Sequence, residues 1–239
     1  MNMLQKSADA KPEWEIELND FLSRLGLNDN DFVKKLCLPD LGAIKHIVPL
    51  RFMREIEQIS PISKEMTFFL LSQMKTMNGH RPFRNSKIRL SQYHPANLKV
   101  GQKYAYEENL TGVLKGLPSF FEKFMIPCGV SELGSWFLFG KDIDGVPAMA
   151  CYMPPIVERH GKNLVIMDGI HRNFIAKQFG VSINVILVEE ISIPFPCSMR
   201  EWCELQVISL NDKPKDINER YFDLTKELFR DLKYLGIDG

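Results

Sequence analysis

Apolar positions recur at helical spacing through the first third of the chain and at strand spacing through its middle. Trp14, Leu18, Phe21, Leu22 and Leu25 share one helical face, and Gly26 stands where a C-terminal stop belongs. Asn30 or Asp31 caps a short helix through Phe32, Val33 and Leu36, which Pro39 ends. Pro49 opens a helix over LRFMREIEQI, and Ser63 caps another over KEMTFFLLSQMKTM that stops at Asn78-Gly79. Helices packed on one another account for residues 13–78.

Beyond Gly79 the period shortens. Lys87 to Tyr93 alternates weakly, Val100 to Tyr106 reads as a short strand, and Leu110 to Phe124 reads as a helix despite Gly112 and Gly116. From Ser135 onward SWFLFG, VPAMACYM, PIVERH, NLVIM and INVILVE are strands, separated by turn residues such as Asp144-Gly145 and Gly161-Lys162. One helix, His171 to Phe179 with Gly180 as its stop, interrupts the series. Helix returns at the end. Ser198 and Glu201 form a capping box before EWCELQVISL, and Asp216 or Asn218 starts INERYFDLTKELFRDLKYL with Tyr221, Leu224, Leu228 and Leu232 on one face. The expected fold class is α+β, a small mixed sheet flanked by N- and C-terminal helices. Its divisions are a polar leader (1–12), a helical region (13–78), an α/β core (79–195) and C-terminal helices (196–239).

Composition narrows the classes. Of 239 residues, 30 are Lys or Arg and 30 are Asp or Glu, so the formal charge is zero and a globally cationic nucleic-acid coat protein is excluded. Ordinary apolar content, with 15 Gly and 14 Pro, excludes collagen-like and disordered chains. No run approaches the roughly 18 apolar residues that cross a bilayer, so no membrane is expected. Five cysteines, at 37, 128, 151, 197 and 203, form no CxxC and read as reduced thiols of a cytoplasmic protein.

The chemistry concentrates in Asn163-Leu-Val-Ile-Met-Asp-Gly-Ile-His-Arg-Asn173, where a strand ends in Asp168-Gly169 and a helix begins at once. A helix N-terminus offers unpaired N–H groups and the positive end of the dipole, a natural anion site. Gly169 admits a phosphate close to the backbone, Arg172 can grip it bidentately, and His171 adds a donor or proton carrier. A bare phosphate repels Asp168, which therefore ligates Mg²⁺ or orients an attacking hydroxyl. The same pattern also serves as a purely structural turn, with Gly for the φ angle and Asp as the cap. Glu158 and His160 read as a solvated hairpin, because their spacing with Asp168 and His171 fits no established metal set. Cys197 reads as packed.

D-G-x-H-R between a strand and a helix, followed by a glycine and a second strand, resembles the ParB/sulfiredoxin superfamily. The likeness extends from Pro154-Pro155-Ile156-Val157 to the strand ending at Glu190, about one fifth of the chain. It implies a mixed α/β core whose turn, including Ile170 and Asn173, holds phosphates of ATP, ADP or CTP. The x position is Ile170 rather than the sulfiredoxin cysteine, and the spelling is closest to the free-serine-kinase branch. That branch implies an Asp near the substrate hydroxyl, here Asp168, and an upstream Glu as base. Glu132 lies at about the right distance, with Glu158 and Glu122 as rivals.

A second feature is an acid-free interval between Glu65 and Glu107 that carries Lys75, Arg81, Arg84, Lys87, Arg89, Lys99 and Lys103. Phe83, Tyr93 and Tyr104 are interleaved, so residues 75–103 are a candidate nucleic-acid surface. Alternatively, Arg81 and Arg84 fold over nucleotide phosphates at the turn. The expectation is therefore an enzyme using Mg²⁺ and ATP or ADP (or CTP). It transfers a phosphoryl group to a small-molecule hydroxyl, or hydrolyses the nucleotide. The alternative is a DNA- or RNA-binding regulator or nuclease.

Overall fold

The computed structural model describes residues 16–25, 44, 46–120, 122, 134–230 and 232. The fold is α+β. Among these residues one five-stranded sheet takes β1 (Ile16–Glu17), β2 (His46–Ile47), β3 (Met53–Ile62), β6 (Ser135–Asp142) and β7 (Pro147–Tyr152) in the order β1-β2-β7-β6-β3. A four-stranded mixed sheet takes β4 (Lys87–Tyr93), β8 (Ile156–His160), β9 (Asn163–Asp168) and β10 (Ile183–Glu189) in the order β4-β10-β8-β9. A parallel pair joins β5 (Tyr104–Tyr106) to β11 (Gln206–Ile208).

The four-stranded sheet is the middle layer. Alternation along β10 sends Ile186 and Val188 to one face and Val185 and Leu187 to the other. The first face packs on Phe137, Phe139 and Met149 of the five-stranded sheet and on α2 (Lys64–Gln73), whose Leu70 and Leu71 are buried. The second face packs on Ile170 of α4 (Ile170–Gln178) and on Leu98, Val100 and Leu205. Also on that side lies α3 (Glu107–Phe120), which starts three residues before the expected Leu110.

Strands β4, β6, β7, β8, β9 and β10 and helix α4 follow the sequence pattern closely. The Ser63 cap is present, its Oγ accepting the Met66 N–H at 3.1 Å. That helix stops at Gln73, before Asn78-Gly79, where Gly79 instead takes the left-handed position of a following turn. Helix α1 (Leu18–Leu25) falls where the apolar spacing placed it. Trp14, Gly26 and the Asn30–Pro39 helix lie outside the described residues.

Of the helix expected over LRFMREIEQI, Leu50–Phe52 form a 3-10 turn and the rest is strand β3. Met53, Ile56 and Ile59 recur every third residue, which imitates a helical face. Strand β3 instead has irregularities between Met53 and Glu55 and between Ile56 and Gln58 in its pairing with β6. An extra residue at such a bulge restores the face, so all three side chains join the cluster of Trp136, Leu138, Ala150 and Tyr152. After the last bulge normal alternation resumes, and Ile62 turns to the other face.

The two C-terminal helices are also overturned. Residues 202–204 form a 3-10 turn, β11 pairs with β5, and among the described residues the second is reduced to the short α5 (Ile217–Arg220) and a 3-10 turn at Lys226–Leu228. Asp216 does cap α5, but Ser198 caps nothing and donates to Asp223 Oδ2 at 2.7 Å. The segment runs as a strap instead. Phe222 N–H reaches the Gly101 carbonyl, Thr225 N–H that of Pro196, and Arg230 bridges to Thr76. These long-range partners outweigh a helix propensity of a few tenths of a kcal/mol per residue, roughly.

Candidate functional site

Strand β9 ends at Asp168, opposite Ile156 of β8, and Gly169 reverses the chain at φ 83° before α4 begins. A Cβ at Gly169 would lie 2.7 Å from Pro155 Cβ, so the backbone passes too close to Pro155 for a side chain. The Gly169 carbonyl accepts both the Asn173 N–H and Asn173 Nδ2, each at 3.0 Å. Asn173 is fully buried, and among the described residues its Oδ1 has no hydrogen-bond partner.

The turn's charges face each other. Arg172 Nη2 lies 3.0 Å from Asp168 Oδ2, its Nη1 donates to the Met153 carbonyl, and its guanidinium sits over the Tyr152 ring at 5.4 Å. Asp168 is buried, so this ion pair neutralises a carboxylate that would otherwise be costly there. His171 is also buried, and its Nε2 accepts the Tyr106 N–H at 3.0 Å. A backbone N–H only donates, so the imidazole is neutral with its proton on Nδ1. His171 thus ties α4 to the residue that precedes α3.

Beside the turn lies a groove of about 230 Å³ lined mainly by Tyr152, Pro154, Pro155, Arg172, Ile175 and Phe179. Its lip is apolar and open, with Phe179 and Val181 exposed. Arg172, in the first turn of α4, is its charged side chain.

The structure therefore brings together Asp168, Gly169, Ile170, His171, Arg172 and Asn173, though Ile170 points into the core with Val157 and Ile166. It does not bring Arg81 and Arg84 to the turn. Both are exposed, just ahead of β4, without an ion-pair partner among the described residues. The register runs Leu90, Ile186, Ile156, Asp168 across the sheet, so Lys87 is about 14 Å across and about 10 Å along, away from the turn. Glu132 lies outside the described residues, and Glu122 is exposed.

The third carboxylate, Glu158, is not on a solvated hairpin. It is fully buried, chelated by Arg230 Nε at 3.0 Å and Nη2 at 2.9 Å, with His160 Nε2 at 2.7 Å. No local signal marks Arg230 as its partner. Cys197 lies in the same neighbourhood, and burial together with Glu158 pushes its thiol up to about 12. Among the described residues no three His, Cys, Asp or Glu side chains are grouped to hold a metal. With Asp168 also paired to Arg172, the described residues do not fit a protein-held Mg²⁺.

The basic interval is likewise divided. Phe83 is buried in the core, Lys99 pairs with Glu201, and Tyr93 Oη accepts from Arg159. Among the described residues no helix is long and apolar enough to cross a membrane. Comparison with family models, curated protein sequences and solved structures finds no match to this chain.

Proposed function

We propose that this chain is a cytoplasmic nucleotide-binding protein of ParB/sulfiredoxin type that binds phosphate at the Gly169–Arg172 turn. The observation that carries the reading is Arg172, in the first turn of α4 and beside the Gly169 turn, lining a mainly apolar groove of about 230 Å³. Such a site offers hydrogen-bond donors for a phosphate and a non-polar wall for a planar base. Arg172 keeps N–H groups beyond those given to Asp168 and Met153, and Asp168 fixes the guanidinium's orientation. His171, neutral and anchored on Tyr106, positions the first turn of α4.

Phosphoryl transfer to a hydroxyl belongs to the proposal through the D-G-I-H-R resemblance. It requires Asp168 to exchange Arg172 for the acceptor hydroxyl.

The test is thermal denaturation with ATP, ADP, GTP and CTP. A nucleotide at a hundredfold excess over its Kd adds about 2.7 kcal/mol. For a chain of 239 residues that is a Tm rise of roughly 5–10 °C. The rise should shrink in Arg172→Ala, and phosphate release should vanish in Asp168→Ala. No rise with any nucleotide, and no difference between wild type and Arg172→Ala, removes the proposal.

A further inference from the structure

We propose that β4 is a docking edge, onto which an acidic, extended segment of another protein adds as a fifth strand of the four-stranded sheet. This site is distinct from the Gly169–Arg172 turn and independent of the nucleotide reading.

The sheet edges differ in how they are finished. At β9 the outer side is capped, since Lys99 N–H donates to the Leu164 carbonyl and the Lys99 carbonyl accepts from Ile166. Edge strand β3 is blunted by two irregularities and by Pro61, which has no N–H to offer. Strand β4 has none of these devices. Its seven residues, KIRLSQY, pair with β10 in unbroken register. Among the described residues no backbone hydrogen bond reaches it from outside. In an antiparallel ladder about half the residues of such a strand aim N–H and C=O outward.

Side chains define the partner. Alternation puts Lys87 and Arg89 on the face shared with Ser91 and Tyr93, and Ile88 and Leu90 on the other. Lys87 is exposed, and Arg89 shares Glu189 with Arg159, at 2.9 and 2.7 Å, leaving net positive charge. Arg81 and Arg84 extend that charge along the approach. On the opposite face Leu90 is 44% exposed. Cross-strand pairing therefore favours carboxylates opposite Lys87 and Arg89 and an apolar residue opposite Leu90. A nucleic acid fits less well, because Phe83 is buried and Tyr93, on the same face as Lys87 and Arg89, is half-buried with its Oη held by Arg159. A second copy of the chain would bring two acid-free edges together.

The probe is a fluorescent peptide, acetyl-Glu-Val-Glu-Val-Glu-Val-Glu-amide, followed by anisotropy on the full chain. Binding is expected, no binding of the Lys-for-Glu peptide, and about tenfold weaker binding by Arg84→Glu/Lys87→Glu with an unchanged Tm. Two N-methylated peptides decide the mode, one methylated on the Glu nitrogens and one on the Val nitrogens. One should bind like the parent and the other fail, because only one set of N–H groups faces β4. Equal binding, or equal failure, of the two overturns the proposal. Displacement of the peptide by an oligothymidylate at comparable concentration overturns it. So does sedimentation of the free protein as a dimer that Lys87→Glu dissociates.

Discussion

Arg172 and Glu158 show how far single residues depend on partners that are remote in sequence. Arg172 looked outward from its motif as a phosphate ligand, yet it also closes on Asp168 and on the Met153 carbonyl. Glu158 sits opposite Arg230, 72 residues away, with both side chains buried. Removing one member of such a pair strands the other charge, so Glu158→Ala should cost about 3–5 kcal/mol in urea unfolding. An unchanged midpoint would show that water reaches Arg230. At Gly169 the left-handed φ and the 2.7 Å approach to Pro155 act together. Gly169→Ala is expected to lose about 1–3 kcal/mol by the same measurement, against little change for an exposed α-helical Gly→Ala.

At the scale of elements, local chemistry was legible wherever an element satisfies itself. The β8–β9 hairpin, the Asp168-Gly169 turn, α4 with its Gly180 stop and strand β10 were all readable from apolar runs and turn residues. Strand β3 was not, because its three-residue spacing acquires meaning only from the bulges imposed by β6. Gly140 lies opposite Ile56 in that register, and a Cβ there would collide with the Glu55 carbonyl. Gly140→Ala should therefore destabilise by about 1–3 kcal/mol. Matched stability of Gly140→Ala and wild type would mean the strands separate easily at the bulge. The C-terminal strap failed for a related reason: Tyr221, Leu224 and Leu228 follow a helical period, but hydrogen bonds donated to the Gly101 and Pro196 carbonyls and the Arg230–Thr76 bridge take the chain elsewhere.

For the whole molecule, burial of acid protons sets an alkaline limit. Burial pushes the Cys197 thiol and the Tyr221 hydroxyl up to about 12, and raises the Cys151 thiol as well. The unfolded chain releases these protons first, from about pH 9 for thiols and pH 10 for the phenol. Over that window the unfolded state binds fewer protons, so stability is complete below about pH 9 and falls as pH rises toward 12. Urea midpoints between pH 8 and 11 should decline, and less steeply in Cys197→Val. Equal slopes for the two proteins would rule out Cys197 as a contributor.

Sequence alone determined the α+β class, the strand–turn–helix–strand order around Asp168 and the Ser63 and Gly180 boundaries. Each depends on residues within one or two turns of each other, where steric and capping rules act directly. It also marked the acid-free interval, without saying which of its cations are free. Tertiary structure decided the rest: the bulged β3, the strap, the neutral tautomer of His171, the closure of Arg172 on Asp168 and the buried Glu158–Arg230 pair. Those depend on which backbone groups and charges meet across the fold, and a burial that forces an ion pair or an accepted N–H leaves no mark on local spacing. The edge of β4, uncovered among the described residues, belongs with them, since an edge exists only once its sheet has been assembled.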